Sequence, residues 1–177
     1  AMRIELTGKR LDLLHSPDFI PPFGRKFRSV ITIHDLNFIH FPQFLTPESK
    51  SYYGQIHQAV ERANHILTDS NWTRDDVINH LDVSPERVTT VHLAANPVYR
   101  PITDQQEVRR ATASFGLPPE FIIFVGTLEP RKNVPTLLQA LRRLRDSGYG
   151  IHLAIVGQKG WLFDRVFSTL TELRLTD

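Results

Sequence analysis

The 177-residue chain is long enough for one substantial hydrophobic core or two small ones, and its 41% hydrophobic and 23% charged residues are ordinary for a globular protein. A net charge of +2 is too small to indicate nucleic-acid binding, and no apolar run approaches the length of a membrane span. The absence of cysteine excludes disulfides, thiolate metal sites and a cysteine nucleophile. Residues 1–15 alternate charged and apolar side chains and do not resemble a signal peptide, so we expect a cytoplasmic protein.

Short apolar runs alternate with helical patterns through the first hundred residues. We predict strands over residues 10–15, 29–33, 65–69 and 87–92. Residues 46–48 (TPE) combine a cap, a first-turn proline and an early acid, which predicts a helix running to about Ala63. Ser70 and Asn71 are placed to cap the next helix.

A connector with two prolines, residues 96–101, interrupts this pattern and predicts a domain boundary near residue 100. Beyond it we predict strands over 121–125 and 151–156 and helices over 104–115, over 133–147 and from Trp161 to the end of the chain. The continuous apolar run 121–125 is typical of a strand that is buried on both faces.

Strands that alternate with helices in this way predict βαβ units and parallel sheets. Ligands of such folds bind at the carboxyl ends of the strands. Four loops in those positions carry polar or charged side chains and glycines, and we expect them at the ligand-binding edge: His34-Asp35, Ser70-Asn71, Gly126 to Lys132, and Gly157 to Gly160 with Lys159.

The loop after residue 125 has the features of an anion site. Gly126 ends the strand, Arg131 and Lys132 supply two cations, and Asn133 begins a helix. Free backbone N–H groups and the positive end of the helix dipole favour a phosphate or diphosphate at this point. A plain loop with a solvated arginine–lysine pair is the alternative interpretation.

Other kinds of site have weaker support. The eight histidines are scattered along the sequence, so a metal-dependent hydrolase built on His34 and Asp35 is a minor alternative, and we expect no metal. The sequence contains no P-loop and no dinucleotide-binding fingerprint. The basic stretch 142–145 lies on a predicted helix, where solvated charge is the usual explanation; weak contact with the anionic inner face of a membrane is the other.

Five stretches, in their order, resemble the retaining glycosyltransferases of family 4. They are residues 30–36 (VITIHDL), 63–73 (ANHILTDSNWT), 85–88 (PERV), 124–133 (FVGTLEPRKN) and 155–161 (IVGQKGW). The EPRKN segment is the most specific and is similar to the mannosyltransferase-like branch. The resemblance implies an α/β protein of two Rossmann-like parallel-sheet half-domains of the GT-B type, each incomplete. Residues 1–100 would be the later part of the acceptor-side domain and residues 101–177 the first part of the nucleotide-sugar donor domain.

In this family the second domain binds the donor. The resemblance implies that Lys132 contacts the donor diphosphate, that Arg131 is its partner, and that Gly126 lets the backbone approach the ligand closely. The family more often has an arginine directly after the glycine, where this chain has Thr127. We expect Arg131 to supply that charge instead.

On the acceptor side, the resemblance places His34, with Asp35 beside it, near the sugar being transferred. The implied reaction moves a hexosyl group, mannosyl in this branch, from GDP-mannose or a UDP-sugar to a sugar or lipid-linked acceptor with retention. The nucleotide sugar is a co-substrate, so no cofactor is expected. Two fixed cations and a helix N-terminus would stabilise the departing diphosphate. No carboxylate nucleophile is evident, and the family implies a front-face mechanism in which the donor phosphate helps to deprotonate the acceptor.

The chain also departs from the family pattern. A complete member is about twice this length, and the glycine-rich loop of the first domain and the paired-glutamate motif of the second are missing. We therefore expect a truncated form with exposed sheet edges, a homodimer or element-swapped oligomer that covers them, and weak or absent transferase activity. A non-catalytic nucleotide-binding or interaction fragment is the alternative.

Overall fold

The computed structural model describes residues 11–21 and 27–175. The chain divides into two compact units, Ala1–Asn96 and Pro97–Asp177. The division lies within a few residues of the boundary expected near residue 100, and the assignment of acceptor and donor roles to the two parts stays a prediction. The first residue of the strand predicted over 10–15 lies outside the described residues.

The first unit is built on a parallel four-stranded sheet. Its strands lie side by side in chain order: β1 (Leu13–Ser16), β2 (Arg28–Ile33), β3 (His65–Thr68) and β4 (Val88–Thr90). In the pairing of β2 with β3, Ile33 is opposite Thr68, so both strands end at the same edge. The four predicted strands of this unit are therefore present, with shifted ends.

Four helices are described in the first unit: α1 (Asn37–His40), α2 (Pro47–Tyr53), α3 (Ile56–Arg62) and α4 (Asn71–Leu81). The prediction of one helix from residue 46 to about Ala63 is wrong, because the chain turns at Gly54 and Gln55 between α2 and α3. Glycine lowers helix stability by about 1 kcal/mol relative to alanine. The Gln55 N–H accordingly bonds to the Tyr52 carbonyl, three residues back, at 3.3 Å.

The core of the first unit is formed by one face of this sheet together with apolar side chains of α3 and α4. Ile31, Ile66 and Val77 are completely buried in it. Val30 and Leu67, which alternate with the buried residues, are only half-buried. The sheet is therefore covered most fully on the face that carries Ile31.

An aromatic cluster fixes the segment after β1 against α1 and α2. Phe38 and Tyr53 stack with ring centroids 4.5 Å apart, and Phe19 stacks on both. The Tyr52 hydroxyl donates to Asp18 Oδ2 at 2.6 Å, and this bond is the main reason that the pKa of Tyr52 is raised to about 12. The segment that leads away from β1 is thus held by both packing and a charged hydrogen bond.

The second unit combines a smaller parallel sheet with three helices among the described residues. In chain order these are α5 (Gln105–Ser114), β5 (Ile122–Val125), α6 (Val134–Asp146), β6 (Leu153–Val156) and α7 (Asp164–Glu172). Val134, Leu138 and Val166 bring α6 and α7 together, and Phe124 and Ile155 of the sheet pack against them. The two predicted strands and three predicted helices are present, although α7 begins at Asp164 rather than near Trp161.

The expectation of a buried strand over 121–125 is wrong. Ile123 is 56% exposed, Val125 is 71% exposed, and Val156 on the neighbouring strand is 51% exposed. Parallel pairing sets Val125 beside Val156, so these side chains share one face of the sheet. The helices α6 and α7 pack against the other face, and within the described residues this apolar face stays open to solvent.

Both sheets are parallel, and helices connect β2 to β3, β3 to β4 and β5 to β6. The predicted α/β class with two parallel sheets is confirmed. Among the described residues, no helix combines the length and the apolar character needed to cross a membrane.

Candidate functional site

The carboxyl edge of the first sheet brings together His34 and Asp69. Each is the first residue after its strand, and the strands end opposite each other at Ile33 and Thr68. His34 Nδ1 lies 2.7 Å from Asp69 Oδ2. The predicted site residue His34 therefore has a carboxylate partner that is 35 positions away in the chain.

Both ring nitrogens of His34 are hydrogen-bonded to acceptors. Nε2 lies 2.9 Å from the Pro17 carbonyl oxygen, while Nδ1 is bonded to Asp69. A carboxylate and a carbonyl can only accept, so this geometry favours the protonated imidazolium, which has an N–H on each nitrogen. The hydrogen bond to Asp69 accordingly raises the pKa of His34 above its ordinary value. With 54% of its side chain exposed, His34 is accessible to a ligand at this edge.

Asp35 contacts the backbone of the turn that follows β2, and its expected catalytic role beside His34 stays a prediction. Its Oδ1 accepts a hydrogen bond from the Asn37 backbone N–H at 3.0 Å, at the start of α1. Asp35 is exposed. In this structure it stabilises the turn after β2, whereas Asp69 holds the imidazole.

The N-terminus of α4 is tied directly to His34. Ser70 Oγ accepts from the Thr73 N–H at 3.0 Å, which confirms Ser70 as the helix cap. The Thr73 hydroxyl donates to the His34 carbonyl oxygen at 3.2 Å. Asn71 is exposed at the first position of the helix. Both residues were expected at the ligand-binding edge: the Ser70 hydroxyl is engaged in the cap, and the Asn71 side chain faces solvent.

The dependence of the His34 pKa on Asp69 can be tested directly. We expect Asp69→Asn to lower the His34 pKa from above 6.5 towards or below that value, because the variant removes the carboxylate. Because the pKa of His34 is raised in the folded state, protonation of His34 stabilises the fold. This contribution is fully present below pH 6.5 and is lost as the pH rises through the folded-state pKa. The variant should therefore be destabilised most at acidic pH.

NMR titration of the His34 ring protons measures this pKa. Asp35→Asn is the matched control, because it removes an adjacent carboxylate that does not contact the ring. An unchanged His34 pKa in Asp69→Asn would contradict the assigned hydrogen bond.

In the second unit, two loops run side by side beyond the ends of β5 and β6. The Gly126 N–H donates to the Val156 carbonyl at 2.9 Å, and the Leu128 N–H donates to the Gln158 carbonyl at 2.9 Å. The Gly160 N–H returns a bond to Leu128 at 3.1 Å. The two loops therefore extend the parallel pairing past the sheet and form a single ledge at its carboxyl edge.

Glycine is required in this ledge by close backbone contact. A Cβ atom on Gly157 would overlap the Gly126 carbonyl oxygen. A Cβ on Gly160 would lie 2.8 Å from Thr127 Cγ2 and 2.9 Å from the Leu128 carbonyl. Of the residues that the sequence predicted in this site, Gly126 and Gly157 are thus in close backbone contact, and Thr127 lies against Gly160.

Arg131 is paired within the protein. Its Nη2 donates to Glu129 Oε1 at 2.7 Å, and Glu129 is only 5% exposed. A buried carboxylate needs such a partner, and removing the partner is strongly destabilising. The Arg131 guanidinium group is therefore used to neutralise Glu129. The expected role of Arg131 as a second cation on a ligand diphosphate stays a prediction.

Lys132 is the more available cation of the pair. It is exposed, and it has no ion-pair partner among residues 11–21 and 27–175. Its Cε lies 3.9 Å from the position that a Cβ on Gly126 would occupy, so its stem runs along the glycine. The helix α6 begins two residues later, after Asn133 in a left-handed conformation with φ of 51°. This arrangement sets a free ammonium group between the glycine turn and a helix N-terminus.

Lys159, also predicted in this region, is held by aromatic rings. Its Nζ lies 5.2 Å from the ring centroid of Phe163 and 5.0 Å from that of Phe167. Cation–π contacts of this kind contribute about 0.5–1 kcal/mol at exposed positions. The ammonium group is therefore anchored towards α7, and Lys132 remains the better placed cation for a ligand.

Comparison with known protein families identifies the class of protein. Residues 1–98 match the family described as Glycosyltransferase Family 4, and residues 105–176 match Glycosyl transferases group 1. The chain belongs to the family 4 glycosyltransferases, as the resemblance of its five stretches predicted.

Individual relatives are similar at modest identity. The O-antigen chain mannosyltransferase B of Escherichia coli is 29% identical over 152 residues, which cover 84% of this chain and 39% of that protein. A D-inositol 3-phosphate glycosyltransferase of Corynebacterium glutamicum is 28% identical over 117 residues, or 63% of this chain and 28% of that protein. The chain spans less than two fifths of the length of either relative.

One solved structure resembles the chain over nearly its full length. A glycosyltransferase from Rickettsia africae aligns with a TM-score of 0.63 and 13% identity, over 99% of this chain and 47% of that one. At this identity the likeness concerns the fold. It confirms the expected GT-B type of two Rossmann-like units.

Proposed function

We propose that this protein transfers a hexosyl group from a nucleotide-sugar donor to a sugar or lipid-linked acceptor with retention of configuration, and that mannosyl is the group transferred. GDP-mannose is then the first donor to test and a UDP-sugar the second. Family membership and the similarity to a mannosyltransferase support the proposal.

The observation that carries the proposal is the position of Lys132. It is an exposed cation beside Gly126, at the carboxyl edge of a parallel sheet and at the start of α6. A departing nucleoside diphosphate gains negative charge as the sugar–phosphate bond breaks, and a fixed cation in that place stabilises it. The glycine at position 157 lets the two loops of the ledge approach each other closely, because a Cβ there would overlap the Gly126 carbonyl oxygen.

His34 supports the acceptor-side half of the proposal. When protonated, its ring donates hydrogen bonds from both nitrogens and does not act as a general base. A sugar hydroxyl that replaces the Pro17 carbonyl at Nε2 would receive such a bond. This agrees with a mechanism in which the donor phosphate, rather than the histidine, takes the acceptor proton.

Calorimetric titration of the 177-residue chain with GDP and with UDP tests the proposal. We expect one nucleoside diphosphate per chain, with GDP the tighter ligand if mannosyl is the group transferred. Absence of binding for both nucleotides at millimolar concentration would contradict a donor site in this chain.

The alternative function is nucleotide binding or interaction without catalysis. A radiolabelled GDP-mannose transfer assay distinguishes the two: binding without transfer supports the alternative, and product formation supports the transferase. In line with the sequence-based expectation, we predict weak or absent turnover by the 177-residue chain.

We also predict that two copies of the chain associate. The exposed apolar face that carries Ile123, Val125 and Val156, and the open edges of a two-stranded sheet, favour pairing with a second copy or exchange of elements. Size-exclusion chromatography with light scattering should show a dimer whose fraction rises with concentration, and Val125→Lys should shift it to monomer. A monomer at all concentrations would contradict this prediction.

Contact of the basic stretch 142–145 with an anionic membrane surface stays a weaker prediction. Arg142 is paired with Asp146 at 2.6 Å, and Arg145 Nε donates to the Ile151 carbonyl at 3.4 Å. These intramolecular bonds compete with lipid headgroups. We therefore expect at most weak peripheral binding.

A further inference from the structure

We propose that His40, Asp76 and His80 form a binding site for a divalent metal ion of the zinc type, separate from the edge that carries His34. The three residues each offer one ligand atom, and these atoms all lie within 4.8 Å of one another. Two imidazole nitrogens and one carboxylate oxygen match the ligand sets of three-residue zinc sites and of related transition-metal sites.

The helices explain how the three side chains meet. Asp76 and His80 are one turn apart on α4, so they project from the same face of that helix. His40 is the last residue of the short helix α1. The scattered positions of these histidines in the sequence argued against a metal site, and the fold removes that argument by placing α1 beside α4.

The distances fit a site that closes around an ion. His40 Nε2 lies 2.7 Å from Asp76 Oδ2, and His80 Nε2 lies 3.8 Å from Asp76 Oδ1. Bonds of about 2.0–2.1 Å in a tetrahedral zinc site place neighbouring ligand atoms roughly 3.3 Å apart. The two distances run to different oxygens of Asp76, so the side chains must adjust before one carboxylate oxygen and both imidazoles reach a common ion. The two imidazole rings are nearly perpendicular, at 89°, with centroids 5.1 Å apart, so both Nε2 atoms can approach a common point without ring overlap.

The burial of the ligands suits an accessible site with an open coordination position. The Asp76 side chain is 15% exposed, while those of His40 and His80 are 35% and 43% exposed. The carboxylate thus supplies negative charge from a partly desolvated position, and an ion can enter from solvent. Water would occupy the fourth position. A bound ion would replace the hydrogen bond between His40 and Asp76 and link α1 to α4.

Titration of the 177-residue chain with Zn²⁺, and with Co²⁺ as a spectroscopic substitute, tests this site. We expect one tightly bound equivalent, visible by calorimetry and by the absorption of nitrogen- and oxygen-ligated Co²⁺. His80→Ala and Asp76→Asn should each weaken binding by more than the roughly 10- to 100-fold that loss of a supporting partner produces. Zinc should also raise the Tm of the wild type and leave that of His80→Ala unchanged.

His57→Ala is the matched control, because it removes an exposed histidine from α3 and should leave Zn²⁺ affinity unchanged. Equal affinity in the wild type, His80→Ala and Asp76→Asn would overturn the proposal, as would no binding by the wild type. Should Asp76→Asn fail to fold, His40→Gln and His80→Ala, on the more exposed ligands, still decide the question. Nucleotide binding at Lys132 does not depend on this result, so the two proposals fail independently.

Discussion

Lys132→Ala should weaken binding of a nucleoside diphosphate by roughly 10- to 100-fold, since a hydrogen bond to a charged group contributes about 1.5–3 kcal/mol. The neighbouring cations cannot replace the lost ammonium group at full strength. Arg131 is bonded to the buried Glu129, and Lys159 lies over two aromatic rings. Calorimetric titration of wild type and variant with GDP measures the change.

Lys50→Ala is the matched control for this variant. Lys50 is an exposed lysine on α2 in the other unit, far in sequence from the ledge, and its loss should leave affinity unchanged. Equal GDP affinities for wild type and Lys132→Ala would show that Lys132 does not contact the diphosphate. Equal losses in both lysine variants would indicate only a general effect of net charge.

Gly157→Ala is expected to destabilise the second unit by about 1–3 kcal/mol, the usual consequence of forcing extra volume into a packed site. The new Cβ would overlap the Gly126 carbonyl oxygen. A Cβ is fixed in place by its own backbone, and the carbonyl is itself backbone, so rotating a side chain cannot relieve the clash. The two loops must then separate. Urea unfolding followed by the fluorescence of Trp161, close to the substitution in the chain, measures the change in stability.

Gly150→Ala provides the control for this substitution. A Cβ at Gly150 meets nothing within 4 Å, so its effect should stay within about 0.5 kcal/mol. Because separation of the loops also moves Gly126, Gly157→Ala should weaken GDP binding as well. Wild-type stability and wild-type GDP affinity in Gly157→Ala would contradict the close contact on which the ledge depends.

The arrangement of strands and helices followed from sequence patterns with few exceptions. Apolar runs and cap residues identify most elements, because hydrophobic periodicity and helix-end residues are properties of the local sequence. The helix break at Gly54 was missed, since a glycine within a periodic pattern weakens a helix without forcing it to end. The exposure of Val125 was missed for a different reason: an apolar run predicts burial, but whether a second layer covers that face depends on elements elsewhere in the protein.

The sequence predicted where the candidate site residues lie better than it predicted their hydrogen-bond partners. His34 and Lys132 follow strands, so their location at sheet edges follows from parallel topology. The bond from Arg131 to Glu129 and the bond from His34 to Asp69 depend on side-chain directions that the sequence does not encode locally. Asp69 could have been identified, since residues that directly follow neighbouring parallel strands meet at one edge.

The most direct test of the donor site is an NMR titration of the isotopically labelled 177-residue chain with GDP. The account predicts saturable shifts of the backbone amides of Gly126, Thr127, Lys132 and Gly157, with the first unit largely unaffected. Shifts confined to the first unit, or none at millimolar GDP, would contradict the assignment of this ledge as the diphosphate site.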